Sequence, residues 1–295
     1  MKVRTFSIVA GSMACNAKCP FCVAHMTPAN GISSKEPVVN WRNFRKACQF
    51  ARDGGCVTAM ITSKGEPTIF PDQVSRFLKE LSNFNFPVLE LQTNGILIAD
   101  GETKKVSDEH LQAWYDAGLN MVAISVCHWE REMNKRIYMG GESKRDYIDL
   151  PALIDKLHRF GFSVRLAVVM LKGYIDSPEA VDKMIEFART HKVEQLTFRP
   201  VSKPDKSENE KVFQWTSSNH VPATLEAEVN QHLASRGAVL NNLTHGATVY
   251  DVDGQNVCMT NCLTVQPDNE EMRQIIFFPD GHLRYAWQHA GAIIF

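Results

Sequence analysis

Through the first two hundred residues, short apolar runs alternate with longer stretches in which apolar positions recur at helical spacing. Residues 3–10 read as a buried strand, and the loop over 11–40 that follows carries Cys15, Cys19 and Cys22. A helix over 41–52 stops at Gly54-Gly55, a strand spans 57–62, a loop 64–70, and a helix 71–84 begins at Pro71. The alternation continues with strand 88–92, helix 108–117, strand 121–126, helix 150–160, strand 163–170, helix 178–190 and strand 195–199. Gly118 and Gly161 supply two of the helix stops. Six such units predict βαβ connections and a parallel sheet that is open or closing toward a barrel.

After Pro200 the rhythm breaks. Residues 202–219 are polar and carry Pro204, which reads as a linker or surface loop, and one helix is expected over 222–235. The tail reads as an antiparallel meander with strands over 247–252, 274–278 and 283–287, turned at Asp253-Gly254 and Asp280-Gly281. The expected division is a core domain over 1–205 and a C-terminal capping or substrate-binding region over 206–295.

Composition narrows the function classes. The chain has 295 residues, 44% of them apolar, and 32 basic against 33 acidic side chains for a net charge of −1. That balance exerts no global pull on duplex nucleic acid or an anionic membrane, so any polyanion site must be local. No apolar run reaches the ~18 residues a membrane span requires. Lys2 and Arg4 before an apolar stretch over 6–15 imitate a secretion signal, but Ser7, Gly11 and Ser12 interrupt it and it runs directly into the cysteine cluster. Eight cysteines are too few for a disulfide scaffold in a chain of this length, and the expectation is a cytoplasmic protein that uses cysteine for a metal.

The segment Cys15-Asn16-Ala17-Lys18-Cys19-Pro20-Phe21-Cys22 has the spacing CxxxCxxC. Three thiolates on one loop can hold three irons of a [4Fe–4S] cluster and leave the fourth iron open to a cofactor. A zinc site completed by His25 is the alternative reading of the same loop. Gly65 lets backbone approach a ligand closely, and Glu66 at the end of a strand faces the crevice where parallel sheets bind ligands; Gly65-Glu66-Pro67 can equally be a plain turn.

The triplet resembles the signature of the radical S-adenosylmethionine (SAM) superfamily, CxxxCxΦC, with Phe21 at the aromatic position. The resemblance runs over about the first 200 residues. Lys64-Gly65-Glu66-Pro67 follows the second strand where the family has a GGE-type motif for the methionine amine, with Lys64 replacing the first glycine. Thr93-Asn94-Gly95 ends the third strand, Ser125 the fourth, and Phe198-Arg199-Pro200 the sixth, where backbone in the family packs on adenine. The segment 164–173 with Arg165 is similar to the fifth strand of the molybdenum-cofactor GTP cyclase and of relatives with C-terminal auxiliary clusters, where a basic residue meets substrate. The cyclase's terminal Gly-Arg-Arg feature has no counterpart in residues 291–295.

The resemblance implies a partial (β/α)6 barrel of α/β class with a small C-terminal α/β annex. It implies a [4Fe–4S] cluster on Cys15, Cys19 and Cys22, and SAM held by Phe21, Gly65, Glu66, Thr93, Ser125, Arg165 and Pro200. It implies reductive cleavage of SAM to a 5′-deoxyadenosyl radical, fed by a reductant such as flavodoxin or ferredoxin.

Other residues carry two readings. Cys127, two positions after Ser125, is a hydrogen-atom donor as in some epimerases, or a small core residue; Arg165 is the second catalytic candidate, as a substrate contact. Cys48 and Cys56 read as core. Cys258 and Cys262 form a CxxxC that is a structural or redox pair, a second metal site completed by His245, His282 or His289, or a substrate contact. Arg165, Lys172, Arg199 and Lys203 can converge on an anion, with His128, Trp129 and Arg131 lining the entrance. The leading expectation is an enzyme acting on a small anionic metabolite or nucleotide. A peptide-modifying enzyme and a non-catalytic iron–sulfur or zinc protein are the rivals, and the lack of a docking domain before Cys15 weighs against the peptide.

Overall fold

The structure, a computed structural model, describes residues 2–140, 143–201, 203, 207–243, 246–260 and 271–295. Strands β1 (Lys2–Val9), β2 (Thr58–Thr62), β3 (Val88–Thr93), β4 (Met121–Val126), β5 (Ser163–Met170) and β6 (Gln195–Pro200) pair side by side in chain order, every pair parallel. Between them run α1 (Val23–Met26), α2 (Trp41–Asp53), α3 (Pro71–Leu81), α4 (Asp108–Asp116), α5 (Arg131–Tyr138), α6 (Leu150–Arg159) and α7 (Pro178–Thr190). This is the α/β architecture of a partial barrel, as the alternation predicts.

Alternation along the strands separates two environments. Leu196 and Phe198 of β6 are fully buried under the helices, whereas Gln195, Thr197 and Arg199 line a cavity on the concave side. The same cavity receives Ser7 of β1, Met60 of β2, Gln92 of β3 and Arg165 of β5, so the curved sheet encloses a polar lumen. Its convex face is apolar. Phe44 of α2 lies at the centre of an aromatic cluster, 5.0 Å from Phe77, 5.1 Å from Phe277 and 6.2 Å from Phe6 between ring centroids. Burial of each such ring is worth about 1.5–3 kcal/mol.

The tail departs from the expected meander. Two hairpins form where predicted: β8 (Thr248–Val252) with β9 (Gln255–Met259), and β10 (Glu271–Phe277) with β11 (Leu283–Arg284). Asp253 and Gly254 both have positive φ, the conformation a tight two-residue hairpin demands. The hairpins do not pair with one another. β10 joins β1 in parallel and β9 joins β6 in parallel, giving one eleven-stranded sheet in the order β11-β10-β1-β2-β3-β4-β5-β6-β9-β8-β7. Without them, the outer edges of β1 and β6 would present unpaired backbone groups beside an apolar core. An additional strand, β7 (Ala238–Asn242), pairs with β8, and α9 (Ala223–Arg236) is the helix expected there.

The expected linker also needs correction, because Glu210–Asn219 forms helix α8. Asn209 caps it by accepting from the Val212 amide at 3.2 Å, and its Trp215 packs on Phe21 at 6.2 Å between centroids. No helix among the described residues is long and apolar enough to cross a membrane.

Candidate functional site

The C-terminal ends of the parallel strands open on a cavity of about 300 Å³. Cys15, Cys19, Phe21, Cys22, Gly65, Glu66, Thr93, Ser125 and Pro200 all line it. These are the residues singled out as cluster or SAM ligands from sequence, with one exception, Arg165, which lies deeper in the lumen. Strand ends meet here because every parallel strand delivers its C-terminus to the same face.

The cysteine loop is held at both ends. Gly65 packs so closely on the loop that a Cβ there would stand 2.0 Å from the carbonyl oxygen of Ala14, and the same oxygen accepts from the Glu66 amide at 2.9 Å. At its other end Cys22 starts α1, which terminates at Thr27. Lys64, 2% exposed, donates to the Thr27 hydroxyl at 2.6 Å and to its carbonyl at 3.2 Å. Burial, with repulsion from Glu66 and Cys22, pushes the Cys15 thiol up to about 11, and burial with repulsion from Cys22 and Cys15 pushes that of Cys19 well above the ordinary thiol range.

Glu66 is 2% exposed, and four donors converge on its carboxylate. Oε1 accepts from the Thr68 amide at 3.1 Å, the Thr68 hydroxyl at 2.6 Å and the Thr93 hydroxyl at 2.6 Å; Oε2 accepts from the Asn94 amide at 2.9 Å. Burial pushes this carboxyl up and the four donors pull it back. Each carboxylate oxygen offers about two lone-pair sites, and with a single donor Oε2 retains one for a further donor.

Several neighbours escaped the sequence reading. Asn94 donates to Asn16 Oδ1 at 2.8 Å and lies 4.0 Å from Cys15 Sγ. Tyr138 bonds Ser125 Oγ at 3.0 Å and accepts at its carbonyl from the Lys18 amide at 2.8 Å, bracing the cysteine loop from the far side. Asn94 sat in a noted motif; Tyr138 belongs to α5, a helix whose short charged sequence gave no periodic signal.

The structure also chooses among the alternative readings of several other residues. Cys127 is fully buried, 3.4 Å from Asn134 Oδ1, and lines neither cavity, which leaves it a core thiol. Lys172 and Lys203 are exposed and contribute to neither cavity. His128 stacks on Trp129 at 3.9 Å, and Arg131 donates to the Tyr147 carbonyl at 2.6 Å; none of the three lines either cavity. Cys48 and Cys56 are fully buried, as expected of core residues.

Beneath the first cavity lies the lumen, about 710 Å³ in volume. Arg4, Lys64, Arg165, Arg199 and Arg273 line it, and no carboxylate does among the described residues. Arg165 is committed: it donates to Glu90 at 2.5 Å and twice to Gln195 Oε1, at 2.9 and 2.5 Å. Arg199 lines both cavities, and its Nε is buried with no hydrogen-bond partner. Cys258 faces the lumen close to both arginines; Cys262 and His245 lie outside the described residues.

The residues fit an iron–sulfur cluster better than a single ion. The three loop thiols line one cavity wall, where each can take its own iron, and Asn16 Nδ2, next to Cys15, is buried without a partner.

Comparison with known proteins is consistent with this geometry. A family model described as the radical SAM superfamily matches residues 11–188. Over 161 residues the chain is 27% identical to the GTP 3′,8-cyclase of Shewanella denitrificans, covering 54% of this chain and 43% of the cyclase. SuiB of Streptococcus suis bound to precursor peptide SuiA superposes with a TM-score of 0.63 at 13% identity, over 97% of this chain and 60% of that one. The SAM-bound form of SuiB gives 0.62 at 14% identity over the same shares. The chain therefore spans less than half the length of its curated relative and 60% of those solved chains.

Proposed function

The chain belongs to the radical SAM superfamily, and from that premise we propose an enzyme that acts on a small anionic metabolite or nucleotide held in the lumen. Its cofactors are a [4Fe–4S] cluster and SAM. Together, once an electron enters the cluster, they supply a hydrogen-abstracting carbon radical, and the protein supplies position, dryness and charge.

Cys15, Cys19 and Cys22 would ligate the cluster, with Phe21 closing the wall beside them. The backbone at Gly65 and the remaining lone pair of Glu66 Oε2 would receive the amine of SAM. Thr93 acts through Glu66, to which its hydroxyl is already bound, and Ser125 and Pro200 bound the rest of the cavity. Arg199, at the junction of the two cavities, is the side chain suited to hold a substrate oxygen near the reacting position. Arg165 contributes charge from a fixed place in the lumen, and strands from the region 206–295 complete the substrate wall through Asn256 and Cys258.

The observation that carries this reading is the lumen itself: a cavity of about 710 Å³ whose lining includes Arg4, Lys64, Arg165, Arg199 and Arg273 with no carboxylate among the described residues. The volume suits a nucleotide-sized ligand and the sign of the charge suits a phosphate or carboxylate. A cytoplasmic setting and a flavodoxin- or ferredoxin-type reductant complete the proposal.

Thermal-shift titration of SAM-loaded protein with nucleotides, sugar phosphates, dicarboxylates and neutral peptides tests it. Saturable stabilisation by an anionic class, lost in Arg199→Gln, is expected. Stabilisation by neutral peptides alone, or an anion response that Arg199→Gln leaves intact, would contradict it.

A further inference from the structure

Lys64 stands where the family motif has glycine, and the structure shows what the substitution brings in. Its side chain does not extend into solvent as lysines ordinarily do; it is 2% exposed. Both hydrogen bonds it makes among the described residues go to Thr27, at the end of the short helix that Cys22 begins. Thr27 in turn donates to the Val23 carbonyl at 3.1 Å, tying the contact to the first residue after Cys22. Burying an ammonium with only a hydroxyl and a carbonyl for partners is costly, and desolvation lowers its pKa to about 8. Negative charge at Cys22 or Glu208 would favour its ammonium form, and neither side chain forms an ion pair or hydrogen bond with it among the described residues.

Such an arrangement is hard to explain as packing, since a neutral side chain of equal length would fill the space without that penalty. It is easier to explain if negative charge accumulates beside Lys64. Each electron added to an iron–sulfur cluster makes the assembly more negative, and a fixed cation in a low-dielectric site stabilises the reduced form more than the oxidised one. Residues 64–66 then act as a unit: Gly65 and the Glu66 amide clamp the start of the cysteine loop at Ala14, and Lys64 clamps its end at Thr27, placing its charge at the far end of the one-turn helix that Cys22 begins.

We propose that Lys64 is a positioning residue that anchors the Cys22 end of the loop and raises the reduction potential of the cluster. This rests on the assignment of Cys15, Cys19 and Cys22 as cluster ligands, and the test separates the two.

Full-length wild type, Lys64→Gln and Lys64→Arg are reconstituted anaerobically. Iron and sulfide per chain are measured, and the midpoint potential is read by redox titration of the reduced cluster's paramagnetic signal. Gln keeps a donor for Thr27 without the charge, and Arg keeps the charge. The expected result is full iron in all three, with the Lys64→Gln midpoint displaced to more negative potential and Lys64→Arg close to wild type. Loss of iron from Lys64→Gln alone also supports the proposal, since only the charge differs in kind. Unchanged potential in Lys64→Gln, or equal loss of iron from both variants, overturns it. Wild type that takes up no cluster would instead overturn the cysteine assignment.

Discussion

Gly65 and Ala14 touch so closely that the carbonyl oxygen of Ala14 occupies the space where any Cβ at position 65 would go, 2.0 Å away. The contact is between backbones, so no rotamer change can relieve it. It fixes the height at which the cysteine loop crosses the end of β2.

Gly65→Ala should therefore displace the loop rather than merely crowd it. Overpacking of this kind costs roughly 3 kcal/mol or more, a fall in Tm of about 5–10 °C for a domain of this size. Iron uptake should fall in parallel. Scanning calorimetry and iron analysis on the same preparation check both; an unaltered iron content would show that the loop does not depend on this contact.

Glu66→Gln offers an amide where four donors expect a carboxylate. Its NH2 would face a donor, leaving at least one buried group unsatisfied, at about 1–3 kcal/mol. SAM affinity, measured by calorimetric titration, should drop at least tenfold. Thr93→Val removes one donor to the same carboxylate and should weaken SAM binding less.

Arg165→Met would strand Glu90, 1% exposed, without its ion-pair partner, and should destabilise by about 3–5 kcal/mol. Adding Glu90→Leu should recover most of that loss. Chemical denaturation of the two single variants and the double variant measures the coupling. Recovery in the double variant, with anion binding reduced, would assign Arg165 both to tying β5 to β3 across β4 and to the lumen charge.

Cys258 lies against the lumen, where burial pushes its thiol up and the charges of Arg165 and Arg199 pull it back. Cys258→Ala is expected to retain the wild-type iron content and SAM cleavage. A fall from about eight irons per chain to about four would instead place a second cluster there.

That the proposed cofactor residues would meet at one mouth was legible in the sequence for a local reason. The cysteine spacing, Gly65-Glu66 and Thr93-Asn94-Gly95 each lie within one strand end or one loop, and parallel topology alone brings strand ends together. The lumen was less legible, because its arginines reach it from β1, β5, β6 and β10, and the pairing of β1 with β10 and of β6 with β9 could not be read locally. The tail shows the same limit: Asp253-Gly254 and Asp280-Gly281 announce their hairpins, but nothing near residue 271 announces that β10 will pair with β1, 267 positions away between Arg4 and Glu271. Tyr138 was missed because α5 carries its buried side chains on one narrow edge of a charged segment.

On the proposed assignment, one loop ligates one cluster that serves SAM cleavage. The most direct test is iron and sulfide per chain together with 5′-deoxyadenosine formed from SAM under dithionite, for anaerobically reconstituted wild type and Cys22→Ala. About four irons in wild type, with both cluster and 5′-deoxyadenosine lost in the variant, is the predicted result. A Cys22→Ala protein that keeps its iron and still forms 5′-deoxyadenosine would contradict the account.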